Sequence, residues 1–130
     1  MVKVMAASPI IGVVDDDRSI RIALDRLLRS DGLTVEVFSS GEDLLNRERL
    51  EEISCLLIDL QMPGMGGLDL QDRLNGAMPH PPIIFISAKD DPQARKQAMQ
   101  GGAVDFLLKP FHDQELLDAI AVAVAQGPAK

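Results

Sequence analysis

Asp15, Asp16 and Asp17 follow one short apolar run of the chain, Asp59 follows a second, Ser87 a third and Lys109 a fourth. Brought together, such carboxylates repel: two like charges about 4 Å apart cost roughly 4 kcal/mol at an effective dielectric of about 20. A divalent cation relieves that cost. Oxygen ligands from carboxylates, with several waters retained, describe Mg²⁺ better than Zn²⁺, and no His/Cys cluster points to a softer metal. Mg²⁺ in turn invites phosphate. In such a site one carboxylate can act as nucleophile and form an acyl phosphate, while metal, hydroxyl and ammonium neutralise the oxygens of the transferred group. Asp59, Ser87 and Lys109 can supply those parts, with Asp15 and Asp16 as metal ligands, although residue types and placement alone do not choose between Asp59 and Asp15 as nucleophile.

Each residue also has a plainer explanation. An aspartate after a strand often caps the next helix, and Asp17, which opens a helical stripe beginning at Ile20, is explained that way and left out of the site. Capping accounts for one such residue but hardly for Asp15 and Asp16 together. Ser87 alone reads as a turn residue and Lys109 alone as solvated surface; their joint placement is what raises them. His80, in a proline-rich stretch, and His112, beside a helix start, show no ligand spacing and receive no role. Cys55, the one cysteine, sits in an apolar run and reads as a small buried hydrophobe in a reducing compartment.

These residues must be positioned by the apolar runs themselves. Short β-branched-rich runs recur at Ile10 to Val14, Thr34 to Phe38, Cys55 to Ile58, Ile83 to Ile86 and Phe106 to Leu108, separated by helix-length segments. Strands alternating with helices predict a doubly wound α/β fold with a parallel sheet. Thr34 to Phe38 alternates in polarity and belongs nearer an edge, whereas the other runs suit strands covered on both faces. Ile20, Ala23, Leu24, Leu27 and Leu28 make one helical stripe, and Leu116, Leu117, Ile120, Ala121 and Val124 another. Ser40 before Glu42 and Asp43, Asp91 before Pro92, and Asp113 before Glu115 mark helix starts; Gly32 and Gly101-Gly102 mark stops. Asn75 to Pro82, with three prolines and a glycine, reads as a surface connection. In an open doubly wound sheet the binding crevice lies outside the carboxyl ends of the strands, where every candidate residue falls.

The chain of 130 residues, 46% hydrophobic, can bury one core of ordinary size, so one domain is expected over residues 10–125, with 1–9 an N-terminal extension and 126–130 a tail or the start of a linker. Acids outnumber bases for a net charge of -7, with no Lys/Arg run. Direct binding to nucleic acid phosphates is therefore unexpected, and any DNA contact needs another domain. The apolar run before the first aspartates is too short for a signal-peptide core or a membrane span, and the chain reads as cytoplasmic.

Val13-Val14-Asp15-Asp16, Leu57-Ile58-Asp59-Leu60-Gln61-Met62-Pro63-Gly64-Met65-Gly66-Gly67-Leu68, Ile86-Ser87-Ala88 and Gly102-Ala103 followed by Lys109-Pro110-Phe111 occur in that order. From about Ile10 to Val124 the chain resembles the receiver domain of bacterial response regulators, the CheY-like fold. The resemblance implies the strand order 2-1-3-4-5, a cis bond between Lys109 and Pro110, and phosphorylation of Asp59 by a sensor histidine kinase. It also implies Mg²⁺ held by Asp15, Asp16, Asp59 and the main-chain carbonyl of Gln61. Ser87 then turns its hydroxyl to the phosphoryl group and Phe106 moves inward, reshaping the surface of the fourth helix, fifth strand and fifth helix, with dimerisation there as the expected output. Ser87 stands where threonine is common and keeps the hydroxyl; Phe106 stands where tyrosine is common and loses the phenolic hydrogen bond; Gly66 stands where a polar residue often precedes the glycine. Gln61 and Lys89 flank the phosphoryl position, where they would tune hydrolysis. The run Gly101 to Phe111 looks most like receivers of the FixJ and NarL type, usually joined to a helix-turn-helix DNA-binding domain.

Two rival readings use the same residues. The stretch Ile11 to Ser19 also resembles the nucleophile motif of haloacid-dehalogenase-type phosphatases, with Asp15 as nucleophile and Asp17 as acid/base. That family needs a late acidic pair, whereas Asp113, Glu115 and Asp118 belong to the last helix, and it leaves the loop after Asp59 unexplained. A flavodoxin-like FMN binder needs a hydroxyl- and glycine-rich phosphate loop where this chain has three acids.

Overall fold

In the computed structural model, residues 8–77 and 79–128 are described. Each apolar run becomes a strand: β1 Ile10–Val14, β2 Thr34–Phe38, β3 Cys55–Asp59, β4 Ile83–Ser87 and β5 Asp105–Leu108. Between and after them lie α1 Arg18–Ser30, α2 Gly41–Leu45, a single 3-10 turn Leu50–Glu52, α3 Gly67–Gly76, α4 Pro92–Gln100 and α5 Asp113–Gln126. All neighbouring strands pair in parallel, in the order β2-β1-β3-β4-β5. The alternating strand is an edge, as its pattern predicts, and β5 forms the other.

Because successive side chains on a strand point to opposite faces, each run feeds two core layers. Ile11, Val13, Leu57, Ile84 and Ile86 pack with Leu24 and Leu28 of α1 and Leu116, Ile120 and Ala123 of α5. Val14, Leu56, Ile58, Phe85 and Phe106 pack with Leu44 of α2, Leu70 and Leu74 of α3 and Ala98 of α4. Burial on both faces is why β3 and β4 carry no polar alternation.

Helix ends follow local chemistry. Asp17 caps α1, accepting from the N–H groups of Ser19 and Ile20; Ser40 caps α2 through Asp43 N–H; Asp91 caps α4 ahead of Pro92. At α3 the cap position is Gly66, which has no side-chain oxygen, and only the Asp69 carboxylate reaches back, to Gly66 N–H at 3.3 Å. Gly67 is required to be small: a Cβ there would stand 2.9 Å from both the Asp59 carbonyl oxygen and Leu60 Cα.

Four expectations are corrected. Asn75 and Gly76 complete α3, and His80, Pro81 and Pro82 are buried, so the exposed connection expected over Asn75 to Pro82 shrinks to the turn around Ala77 and Pro79. The Pro82 carbonyl extends the sheet ladder by accepting from Leu56 N–H at 2.8 Å, a role that a residue without an N–H can fill. The His80 ring lies 2.8 Å from Asn75 Oδ1 and 2.7 Å from the Pro81 carbonyl, tying α3 to the start of β4. In α5 the buried small residues are Ala119 and Ala123, with Ala121 exposed, so the apolar stripe is rotated toward alanines that let the helix approach the sheet. That helix also starts at Asp113 itself, with His112 in the cap position. Of the expected flanks, residues 1–7 and 129–130 lie outside the described residues, while Gln126, assigned to the tail, closes α5.

Candidate functional site

The sheet ladder continues just past the strands, and that continuation places the polar residues. Asp15 N–H bonds the Phe38 carbonyl at 3.1 Å, Leu60 N–H the Ile86 carbonyl at 2.9 Å, and Lys109 N–H the Ser87 carbonyl at 2.8 Å. Backbone immediately beyond β1, β3 and β5 is thereby fixed at one edge of the sheet, together with Ser87 at the end of β4.

Asp15, Asp16 and Asp59 each offer a carboxylate oxygen, and the three atoms lie within 4.8 Å of one another. Asp15 and Asp59 are buried, Asp16 exposed. Lys109 Nζ stands 3.7 Å from Asp15 Oδ2. Asp17 N–H donates to Asp15 Oδ1 at 2.9 Å, and Gln61 N–H to Asp59 Oδ1 at 3.3 Å. Burial, reinforced by the Asp15 charge, pushes the Asp59 carboxyl up to about 6, although Lys109 and the Gln61 N–H pull it back. Asp15 is raised for the same first reason, against the Asp17 N–H and Lys109. Two buried carboxylates and one exposed one around a single ammonium leave uncompensated negative charge, and the donor set is all hard oxygen. Both features fit a small divalent cation.

Ser87 is fully buried. Its Oγ lies 3.0 Å from Gln61 Nε2 and 3.2 Å from Gln61 Oε1, donates to the Lys89 carbonyl at 2.8 Å and accepts from Lys89 N–H at 3.1 Å. Phe106 is buried, its ring centroid 6.5 Å from that of Phe85, and the Arg95 guanidinium of α4 lies 5.1 Å over it. The Phe106 side chain is thus packed within the layer formed by α3, α4 and the sheet. The Lys109-Pro110 bond is cis.

Sequence reasoning missed Arg21 and Arg95. Arg21 Nη1 donates to the Asp15 carbonyl at 2.7 Å and braces the loop that carries the acids. A basic residue near the start of a helix opposes the dipole, and that oddity was the available signal. Asp17, which a phosphatase reading requires as acid/base, is occupied as a cap. His112 stays outside the cluster, and His80 serves the α3–β4 junction. None of the described helices is long and apolar enough to cross a membrane.

Comparison with known proteins agrees with this geometry. The family model "Response regulator receiver domain" matches residues 11–121. Nodulation protein W of Bradyrhizobium diazoefficiens is 48% identical over 114 residues, which are 88% of this chain and 50% of that protein. Transcriptional regulatory protein TdiR of Thauera aromatica is 42% identical over 113 residues, 87% of this chain and 50% of that protein. The chain therefore spans about half the length of these curated relatives. Among solved structures, FixJ-N superposes with a TM-score of 0.85 at 31% identity, covering 96% of this chain and 100% of that one. The phosphatase alternative has no support in these matches. With its sheet order, its acidic cluster and a family match over most of its length, the chain belongs to the receiver domains of two-component response regulators.

Proposed function

We propose that Asp59 is the phosphoacceptor, taking its phosphoryl group from a phosphohistidine of a sensor histidine kinase. The observation that carries the reading is the meeting of a half-screened, buried carboxylate with Asp15, Asp16 and Lys109 at the carboxyl edge of the sheet. An Asp59 carboxylate oxygen forms the new bond to phosphorus as the bond from phosphorus to the imidazole nitrogen breaks, and that nitrogen leaves with the electron pair. Lys109 neutralises charge on the transferred group, and Ser87 turns to it. Asp15, Asp16, Asp59 and the Gln61 carbonyl would hold Mg²⁺, which when bound supplies positive charge to the transferred oxygens. The domain assists its own phosphorylation and dephosphorylation through these groups; in this reading it is a phosphoacceptor and not an enzyme acting on a separate substrate.

Ser87 and Phe106 then transmit the change to α4, β5 and α5, where phosphorylation favours a homodimer. Residues 10–126 form this unit, preceded by an extension and followed by a tail or linker from 127. In the whole protein the output is control of a DNA-binding effector, a reading supported by the resemblance to FixJ-type receivers and by TdiR, named a transcriptional regulatory protein. The compartment proposed is the cytoplasm, with Cys55 an inert thiol pushed up to about 12 by burial.

Incubation with Mg²⁺ and acetyl phosphate, followed by peptide mass spectrometry, tests the assignment. The expected product is one acyl phosphate on Asp59, absent in Asp59→Asn and retained in Ser87→Ala, with the phosphorylation-dependent dimer weakened in the latter. An adduct on Asp15, or multiple turnover on aryl phosphates, would sink the assignment.

A further inference from the structure

The Ser87 hydroxyl has one proton to donate and two lone pairs to offer. In this structure all are committed: the proton lies between the Lys89 carbonyl at 2.8 Å and Gln61 Oε1 at 3.2 Å, and the lone pairs face Lys89 N–H at 3.1 Å and Gln61 Nε2 at 3.0 Å. Both atoms of the Gln61 amide are within reach of Oγ, so the contact survives either orientation of that amide. Gln61 Oε1 also accepts from Ala88 N–H at 3.4 Å. One side-chain oxygen therefore stands against the hydroxyl and the main-chain N–H at the carboxyl end of β4, while the N–H of the same residue holds Asp59 Oδ1 at 3.3 Å.

We propose that the Gln61 side chain is a resting-state latch on Ser87, a placeholder that holds its hydroxyl until a phosphoryl group on Asp59 displaces it. The proposal rests on Asp59 being the phosphoacceptor. A phosphoryl oxygen carries charge, and hydrogen bonds to charged acceptors are roughly twice as strong as neutral ones, so displacement of a neutral amide is downhill. Once the phosphoryl group is hydrolysed, the amide reoccupies the hydroxyl and the resting arrangement returns. Gln61 is a long side chain on an exposed loop residue, so ordering it offsets part of what its hydrogen bonds contribute and keeps the latch weak enough to open. In this role Gln61 is a positioning residue: it acts on the switch through Ser87.

The test is a double-mutant cycle read by binding of beryllofluoride, a stable mimic of the phosphoryl group, in excess Mg²⁺, followed by NMR of the Ala88 and Lys89 amides. Gln61→Ala should tighten beryllofluoride about 3- to 10-fold, the scale of one lost net hydrogen bond in the resting state. In a Ser87→Ala background the same substitution should change the affinity by less than about 1.5-fold, because nothing is left to latch. In free Gln61→Ala the Lys89 amide resonance should also move toward its bound position. Equal tightening in both backgrounds, or none in either, overturns the latch while leaving Asp59 as phosphoacceptor. Failure of the wild-type chain to bind beryllofluoride overturns the phosphoacceptor reading itself, and the latch with it.

Discussion

Burying the Asp59 carboxylate comes at a cost to the fold. An ordinary aspartate titrates at 3.8, and burial beside Asp15 raises Asp59 to about 6. Between those values the folded chain keeps a proton that the unfolded chain has lost, so stability falls as pH rises through this window and stays low above it. Asp59→Asn removes the charge with little change of shape. In metal-free buffer at pH 7.5 the variant should be more stable than wild type by up to about 3 kcal/mol, with the gain disappearing toward pH 4. Thermal unfolding in a chelator across that range checks both sign and window; a gain that persists at pH 4 would mean the charge is not its source. Phe106 is the other residue with a defined environment, held between Phe85 and the Arg95 guanidinium. Arg95→Ala should lower stability by about 0.5–1 kcal/mol, the range for an exposed cation–π pair, and should speed ring flipping of Phe106 in NMR line shapes.

The elements divide into those whose ends are written locally and those set by distant partners. Strand ends were legible because an apolar run stops at a polar residue, and the proposed site residues are those stopping points: Asp15, Asp59, Ser87 and Lys109. Asp17 and Asp91 could be read as caps because capping depends on the next three residues alone. The bond between Gln61 and Ser87 spans 26 positions, as does that between Asn75 and Gly101, and no local pattern encodes either. The rotation of α5 onto Ala119 and Ala123 is of the same kind, since the depth available over the sheet is set by other strands. Two substitutions separate these cases. Asp17→Ala should cost about 1 kcal/mol in urea unfolding while phosphorylation of Asp59 proceeds at the wild-type rate, as befits a cap and not an acid/base group. Gly67→Ala forces a Cβ against the Asp59 carbonyl and Leu60 Cα at 2.9 Å and the Phe85 ring at 3.1 Å. It should cost about 1–3 kcal/mol and slow phosphorylation too, because the backbone it displaces is that of the proposed acceptor residue.

At the scale of the molecule, two apolar layers on either face of the sheet hold together an edge where charge is concentrated. The net charge of -7 offers no compensation from the rest of the surface. A divalent cation bound only by the folded chain must then stabilise the whole fold, by about 1.4 kcal/mol at ten times its dissociation constant. Protons compete for the same oxygens, and with Asp59 at about 6 and Asp15 also raised, the stabilisation by Mg²⁺ should be clear at pH 7.5 and nearly gone at pH 5. Asp59→Asn has already shed part of the repulsion that the cation relieves, so Mg²⁺ should add less to that variant than to wild type. The two effects should therefore fall short of adding. Unfolding curves of both proteins at each pH, with and without Mg²⁺, give all the terms. Equal stabilisation of both proteins at pH 7.5 would place the cation somewhere other than the cluster of Asp15, Asp16 and Asp59.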